Sequence, residues 1–400
     1  MTLAKNAGSL CAALVVLCVF GSSQIVAAAT VEGTPTKRYL MAFLACDRAV
    51  YSDCDHPTHH VVYLVESDDS ATWSLVPGWQ PYAGSTPSPI RRGNKLYIFE
   101  ALENNVRTAT SNGHNVVRYD YTTGTWQDAV DITVSGDPRS NNGILDPTPI
   151  LDDQGRIVLF YKSATAGDVG LCNVGQTCTR YFHSATEVEG SDGTAFVADP
   201  QPRVAWTQTP TSATGPQLAA DVYVYSDGSQ YVLYISGPAT NSITVWTSPT
   251  LQGTYSMVST LTNGLLANGT GGVPGGYFDP ITRLYWTLAH KPQPNGIAVI
   301  RRAIHTGFTR QLVEADWAPV VTGSQLGLTA TTSVESPGFA DTSVTEMPAA
   351  PTNLAYTTSG STVTLTWTAS TGAASYDVAV ALKSMFPRSL RPGEAPTSRT

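Results

Sequence analysis

The sequence predicts an all-β protein built as a five-bladed β-propeller. Three observations predict it. The composition is that of strands and turns: among 400 residues only 14% are charged, while 34 are Gly and 26 are Pro. Thr, Ser, Val and Tyr are plentiful where Lys and Glu are scarce, which disfavours long helices. One hairpin pattern recurs along the chain. The two chain ends carry complementary pieces of one more unit.

The best-formed hairpin is residues 145–163, LDPTPILDDQGRIVLFYKS. Asp146-Pro147 opens a short strand, Asp152-Asp153-Gln154-Gly155 turns the chain, and residues 156–161 form an apolar, β-branched run. Two such runs around Asp/Gly punctuation signal a hairpin. Residues 85–101 repeat it: Thr86-Pro87-Ser88-Pro89-Ile90 lies over Asp146-Pro147-Thr148-Pro149-Ile150, and LYIFEA over VLFYKS. Residues 220–237 and 272–290 are further copies. Each is followed by a second hairpin, at residues 116–130, 180–197, 243–258 and 297–313. The unit is therefore four antiparallel strands, recurring roughly every 50 to 70 residues.

The N-terminal unit lacks its innermost strand. Residues 39–45 match the second strand of the unit, and residues 60–76 the third and fourth. Residues 332–339, TSVESPGF, supply the missing strand, with Ser336-Pro337 placed over Ser88-Pro89 and Thr148-Pro149. Pairing the chain ends closes the ring and hides its last sheet edges. The propeller is expected over residues 36–345. A sixth blade stays open should the insert between Ala164 and Val204 hold more strands. A β-sandwich also suits the composition but leaves the paired hairpins unexplained.

Residues 1–29 read as a secretory signal peptide: Lys5, an apolar core at 10–20, and Ala27-Ala28-Ala29 as a cleavage site. A membrane anchor is the alternative, and the apolar run is short for a span. The mature chain then keeps Cys46, Cys54, Cys172 and Cys178. In an oxidising compartment these pair as Cys46–Cys54 and Cys172–Cys178, and neither spacing is that of a zinc ribbon. Asn268-Gly269-Thr270 is a glycosylation sequon. The expectation is a secreted, extracellular monomer. A net charge of -8 argues against a nucleic-acid or anionic-membrane partner.

Residues 347–382 change character. The Pro-rich lead, the VTLTW strand with Trp367 and the run SYDVAVAL resemble the first strands of a fibronectin type III domain. The resemblance covers about 36 residues where that sandwich needs roughly 90. Residues 383–400, rich in Arg, Pro and Ser, read as a disordered tail.

A propeller gathers the starts of its innermost strands around one central pocket. In this register those starts are Glu335, Thr86, Asp146, Asp221 and residues 271–272, so three carboxylates meet in a charge-poor chain. The pattern Asp146-Pro147, Asp153-Gln154-Gly155, Leu159-Phe160-Tyr161, with TSPTLQGTY in a later blade, resembles the five-bladed glycosidases of glycoside hydrolase family 43. The resemblance implies an Asp general base, a Glu general acid and a second Asp that tunes the acid. Asp146 matches the Asp-Pro strand start. Glu335-Ser336-Pro337 resembles the family's Glu-Gly-Pro start, although it lies later in the chain, and Asp221 fills the third role. Glycosidic cleavage needs such groups: one acid protonates the leaving oxygen and one carboxylate activates water or attacks the sugar. Crowded carboxylates raise one another's pKa and keep the acid protonated. The plainer readings are a turn cap for Asp146 and a solvated strand end for Asp221.

Residues 66–73, ESDDSATW, resemble the Asp-box turn of sialidase propellers, a structural device in which the Asp bonds turn amides and the Trp packs between strands. Residues 120–126 are a fainter copy. Arg91 and Arg92 sit in a hairpin turn, where solvation is the expectation. Trp79 and Tyr82 are the candidates for stacking on a sugar ring, while Trp246 and Trp286 are expected in the core. His56, His59 and His60 cluster near Asp53 and Asp55, in a loop that Cys46–Cys54 would clip; a polar loop is favoured over a metal site. No phosphate-binding glycine loop, nucleophile elbow or zinc helix motif occurs, and no cofactor is called for. The expected function is a secreted glycoside hydrolase-like propeller acting on extracellular glycans. A non-catalytic carbohydrate-binding or adhesion propeller, and a secreted interaction protein, are the alternatives.

Overall fold

The computed structural model describes residues 31–54, 56–101, 114–136, 144–163, 175–209, 221–237, 239–343, 352–359 and 362–368. The expected signal peptide, Cys172, most of the fibronectin-like segment and the C-terminal tail lie outside them. The propeller has five blades, each a sheet of at least four strands, antiparallel except where Thr133–Ser135 joins the edge of blade III in parallel. Blade I takes its inner strand, Thr332–Asp341, from the far end of the chain, followed by Tyr39–Asp47, Val61–Ser67 and Ser74–Leu75. Blade II is Ser85–Arg92, Lys95–Ala101, His114–Asp120 and Thr125–Asp131. Blade III is Ile144–Leu151, Ile157–Ser163, Cys178–Glu187 and Ala195–Ala198. Blade IV is Val222–Ser226, Tyr231–Ser236, Ile243–Ser248 and Ser256–Met257, and blade V is Gly272–Asp279, Leu284–Pro292, Ala298–His305 and Trp317–Val321. The inner strands touch one another in this order, and the fifth returns to the first.

The strands read as continuous apolar runs because both faces of each blade are covered. Leu96 and Ile98 pack toward blade I with Leu40, Ala42, Val62 and Leu64. The alternate residues Tyr97 and Phe99 pack toward blade III with Ile157, Leu159 and Tyr161. Val158 and Phe160 then face Val222, Val224 and Leu233 of blade IV. Each Val, Leu, Ile or Phe among them contributes about 1.5–3 kcal/mol by burial. The axis is tight: a Cβ on Gly338 would stand 2.4 Å from Pro87 O, and one on Gly275 2.3 Å from Pro337 O. The chain ends are latched by Arg38–Asp341 at 2.7 Å and by Thr342 N–H donating to Arg38 O at 2.8 Å.

Four inner strands begin with the same bulge. Two residues face one on the neighbouring strand between Ser85 and Ser88, Leu145 and Thr148, Gly272 and Gly275, and Glu335 and Gly338. The first residue of each bulged pair has positive φ and precedes a proline: Thr86 (47°), Asp146 (54°), Val273 (47°) and Ser336 (54°). The extra residue moves the register. Ser336-Pro337 therefore matches Thr86-Pro87 and Asp146-Pro147, two residues from the expected alignment. The blade V equivalent is Val273 rather than residues 271–272. LYIFEA lies over IVLFYK, one residue from the expected pairing, because Phe99 and Phe160 face Ser88 and Thr148.

The insert after blade III's second strand makes no sixth blade among the described residues. Its strands Cys178–Glu187, Ala195–Ala198 and Val204–Gln208 all join blade III. The outer strand of blade V is Trp317–Val321, beyond the expected end at Val313. The Asp-box turn closes as a structural unit: Asp69 Oδ1 accepts from Ala71 N and Thr72 N at 2.8 and 2.7 Å, which draws its carboxyl down to about 2. Arg91 and Arg92 are not left to solvent. Arg92 pairs with Glu187 of blade III, and Arg91 lies 4.0 Å over the Tyr121 ring. Of the fibronectin-like segment, Thr352–Ser359 and Thr362–Thr368 form a two-stranded hairpin, which by itself is no sandwich. Among the described residues no helix is long and apolar enough to cross a membrane.

Candidate active site

The bulges open into one cavity of about 360 Å³ at the starts of the inner strands. Asp146 of blade III, Asp221 at the start of blade IV and Glu335 of blade I all line it, with Thr86, Ser336 and Val273. The structure thus brings together the three carboxylates singled out in the sequence, and Thr86 with them. Their roles differ by environment.

Asp146 lies on the floor. Burial pushes its carboxyl up to about 7, the nearby Asp221 carboxylate pushes the same way, and Lys162 opposes. The Thr86 hydroxyl faces it and favours the charged form. That hydroxyl is nonetheless buried without a formed hydrogen bond among the described residues, so its geometry toward Asp146 falls short of bonding. Asp221 is tied back to its own hairpin: Oδ2 accepts from Ser236 Oγ at 2.6 Å. Glu335 stands between two cationic or donor groups. Arg48 Nη2 is 3.7 Å from Oε1, and His290 Nε2 is 3.7 Å from Oε2.

Three histidines complete the wall: His60, His114 and His290. His60 is held by Ser85 Oγ at 2.8 Å through Nδ1 and by Cys54 O at 2.7 Å through Nε2. The Cys46–Cys54 disulfide forms, with Cα atoms 5.8 Å apart, and Cys54 itself lines the cavity. The expected pairing thus shapes the site as well as the loop. Cys178 is also disulfide-bonded; Cys172, its expected partner, is outside the described residues. His56 and His59 bond within the loop, to Thr58 Oγ1 at 2.7 Å and Asp53 O at 2.5 Å. Among the described residues no cluster of three or more His, Cys, Asp or Glu is arranged to hold a metal.

Trp79 and Tyr82 are corrected. Neither lines the cavity. Trp79 is 7% exposed and Tyr82 6%. The Trp79 indole donates to Val62 O at 3.1 Å and packs edge-on to Trp126. The loop that carries them turns inward because its aromatic rings fill the gap between blades I and II. Asn268 is exposed, as a sequon requires. Trp246 and Trp286 are buried.

Sequence reasoning missed His114, His290, Arg48 and Lys162. A usable signal existed. Ala101, Lys162, His290 and Leu44 each pair with the residue just before a bulge, so all four stand at one level of the ring. The one-residue slip in aligning VLFYKS hid this, since a shift of one moves a strand residue to the other face.

No protein-family model matches the sequence, and no curated protein matches it. Solved structures that resemble it include the family 117 glycoside hydrolase Zg3597 of the marine bacterium Zobellia galactanivorans: 16% identity, 61% of this chain, 69% of that one, TM-score 0.38. A xylan β-1,4-xylosidase from Bacillus halodurans is 15% identical over 65% of this chain and 50% of that one, TM-score 0.40. The catalytic domain of a family 62 α-L-arabinofuranosidase from Coprinopsis cinerea is 13% identical over 69% of this chain and 77% of that one, TM-score 0.38. Likeness at this level carries no argument about chemistry, which rests on the cavity.

Proposed function

We propose that the protein is a glycoside hydrolase acting at this cavity, in a secreted setting, on extracellular glycans. The observation that carries the reading is the convergence of three carboxylates from three blades on one cavity, one of them holding its proton up to about pH 7. Asp146 is equipped to be the general acid: it carries a proton at neutral pH and can give it to the leaving oxygen. Glu335, flanked by a guanidinium and an imidazole, is equipped to act as the anion that activates water or attacks the anomeric carbon. Asp221 raises the proton affinity of Asp146. These roles exchange Asp146 and Glu335 relative to the family 43 resemblance, because environment rather than residue type sets which carboxyl holds the proton.

The test is hydrolysis of a panel of aryl glycosides and of plant and microbial glycans by the wild type, Asp146→Asn and Glu335→Gln. Both variants should lose activity with their folds intact. Equal rates in wild type and Asp146→Asn would remove Asp146 from the mechanism, and binding without turnover in the wild type would leave a carbohydrate-binding propeller.

A further inference from the structure

We propose that His290 and Arg48 are positioning residues that hold Glu335 in its working orientation, as the anion opposite Asp146; this rests on the hydrolase reading above. His290 lies near the end of the second strand of blade V, at the ring level where the other bulged blades carry Ala101, Lys162 and Leu44. Its Nδ1 accepts the backbone N–H of Ser336 at 3.4 Å. A backbone amide can only donate, so the neutral ring must carry its proton on Nε2. Nε2 is the atom that faces Glu335 Oε2 at 3.7 Å. One imidazole therefore contacts both the bulge backbone and the side chain of the residue before it.

Arg48 addresses the other oxygen, Oε1. It is anchored to the same strand, its Nε donating to Ser333 Oγ at 3.0 Å and its own N–H to Thr331 O at 3.1 Å. Arg48 belongs to the loop that the Cys46–Cys54 disulfide closes, which fixes where the guanidinium can reach.

The distances separate this arrangement from an ordinary structural ion pair. Six residues further along the same strand, Asp341 meets Arg38 at 2.7 Å, a closed contact. The partners of Glu335 stand off at 3.7 Å, beyond hydrogen-bond reach. They can orient the carboxylate while leaving its oxygens open to water or a sugar carbon, and such contacts commonly tighten only when substrate is bound. The other ionisable groups facing the same space are His60, His114, Asp146 and Asp221, with Lys162 close to Asp146. Lys291, the neighbour of His290, is turned away to Glu314 at 2.9 Å.

The experiment has two arms. In the first, kcat and KM of full-length wild type, His290→Ala, His290→Gln, Arg48→Gln and Arg48→Lys are measured against pH on the aryl glycoside the wild type cleaves fastest. Loss of either contact should lower kcat on the order of 100-fold, as misplacement of a reacting group does, with KM changed little. His290→Gln and Arg48→Lys should recover part of the rate, because each restores a donor. In the second arm, which needs no turnover, side-chain ¹⁵N NMR of the wild type should show His290 as the Nε2–H tautomer. The Nδ1–H tautomer overturns the proposal. So does wild-type kcat in His290→Ala and Arg48→Gln when Glu335→Gln is inactive. Full activity in both Glu335→Gln and Asp146→Asn overturns the hydrolase reading itself, and this proposal with it.

Discussion

Asp146→Asn should make the protein more stable and less active, with a gain in stability that is absent near pH 4 and grows as pH rises toward 7. The folded state holds the Asp146 proton up to about 7, whereas an ordinary aspartate releases it at 3.8. The folded pKa is raised, so its contribution to stability is fully present below about 4. It is lost as pH rises through the window to about 7, where the folded chain binds a proton that the unfolded chain has given up. Every tenfold gain in proton affinity corresponds to about 1.4 kcal/mol, so the cost of ionising Asp146 in place reaches about 4 kcal/mol above pH 7. Asparagine keeps the shape and cannot ionise. Urea unfolding of both proteins at several pH values from 4 to 8 gives the comparison directly. The two should be nearly equal at pH 4, and the variant should draw ahead steadily toward pH 8, while hydrolysis of the aryl glycoside panel is lost. A stability difference that does not change with pH would refute the reasoning, because it would mean that Asp146 is no more proton-loving in the folded state than in the unfolded one.

Asp221→Asn removes the carboxylate that helps to raise Asp146, so the alkaline limb of the pH–rate profile, expected near 7, should move to lower pH; an unmoved limb would show that burial alone sets it. Cys46→Ser with Cys54→Ser should cost about 2.5 kcal/mol by opening a short loop and should also lower activity, since Cys54 lines the cavity; loss of stability at unchanged activity would confine the disulfide to a structural role. Gly338→Ala should prevent ring closure, because its Cβ would stand 2.4 Å from Pro87 O and 2.8 Å from Ser88 Cα; a soluble variant with native circular dichroism and melting temperature would contradict the tight axis.

The fold was legible because each blade repeats a pattern that burial on both faces imposes, and because a ring must join its ends. The three carboxylates were legible for a related reason: only strand starts reach the axis, and charge is rare in this chain. Register was not legible. A bulge adds a residue without changing local composition, so Ser336 was set two places away and Lys162 one. Val273 shows that the bulge itself demands no particular chemistry. It is a β-branched residue at φ 47°, a costly conformation for its type, in the position where blade III carries Asp146. The strain recurs in four blades and belongs to the architecture, so it says nothing about catalysis; the side chain placed there does. Trp79 and Tyr82 were misread because a Pro- and Gly-rich loop looks exposed in sequence, and only the packing of two blades reveals that it fills a gap.

Glu100 is the clearest case of a residue that neither pattern nor motif foretold. In the corrected register it stands where the other bulged blades have Phe43, Tyr161 and Ala289, an interior position. It is fully buried, and among the described residues neither of its oxygens has a hydrogen-bond partner. Gly84 leaves the room it occupies, since a Cβ there would lie 2.6 Å from Oε2. Burial drives its carboxyl well above the ordinary value of 4.5, with the Tyr82 hydroxyl beside it opposing. The sign is that of Asp146: stability is complete below about 4.5 and declines as pH rises, because the unfolded chain ionises while the folded chain must keep the proton or bury a charge. Glu100→Gln should therefore match the wild type near pH 4.5 and exceed it at pH 8, without the loss of hydrolysis expected of Asp146→Asn, because Glu100 does not line the cavity. Urea midpoints at the two pH values, together with the rate on one aryl glycoside, decide it. A variant that gains nothing at pH 8 would mean that Glu100 is solvated or paired in solution, and alkaline instability would then belong to Asp146 alone.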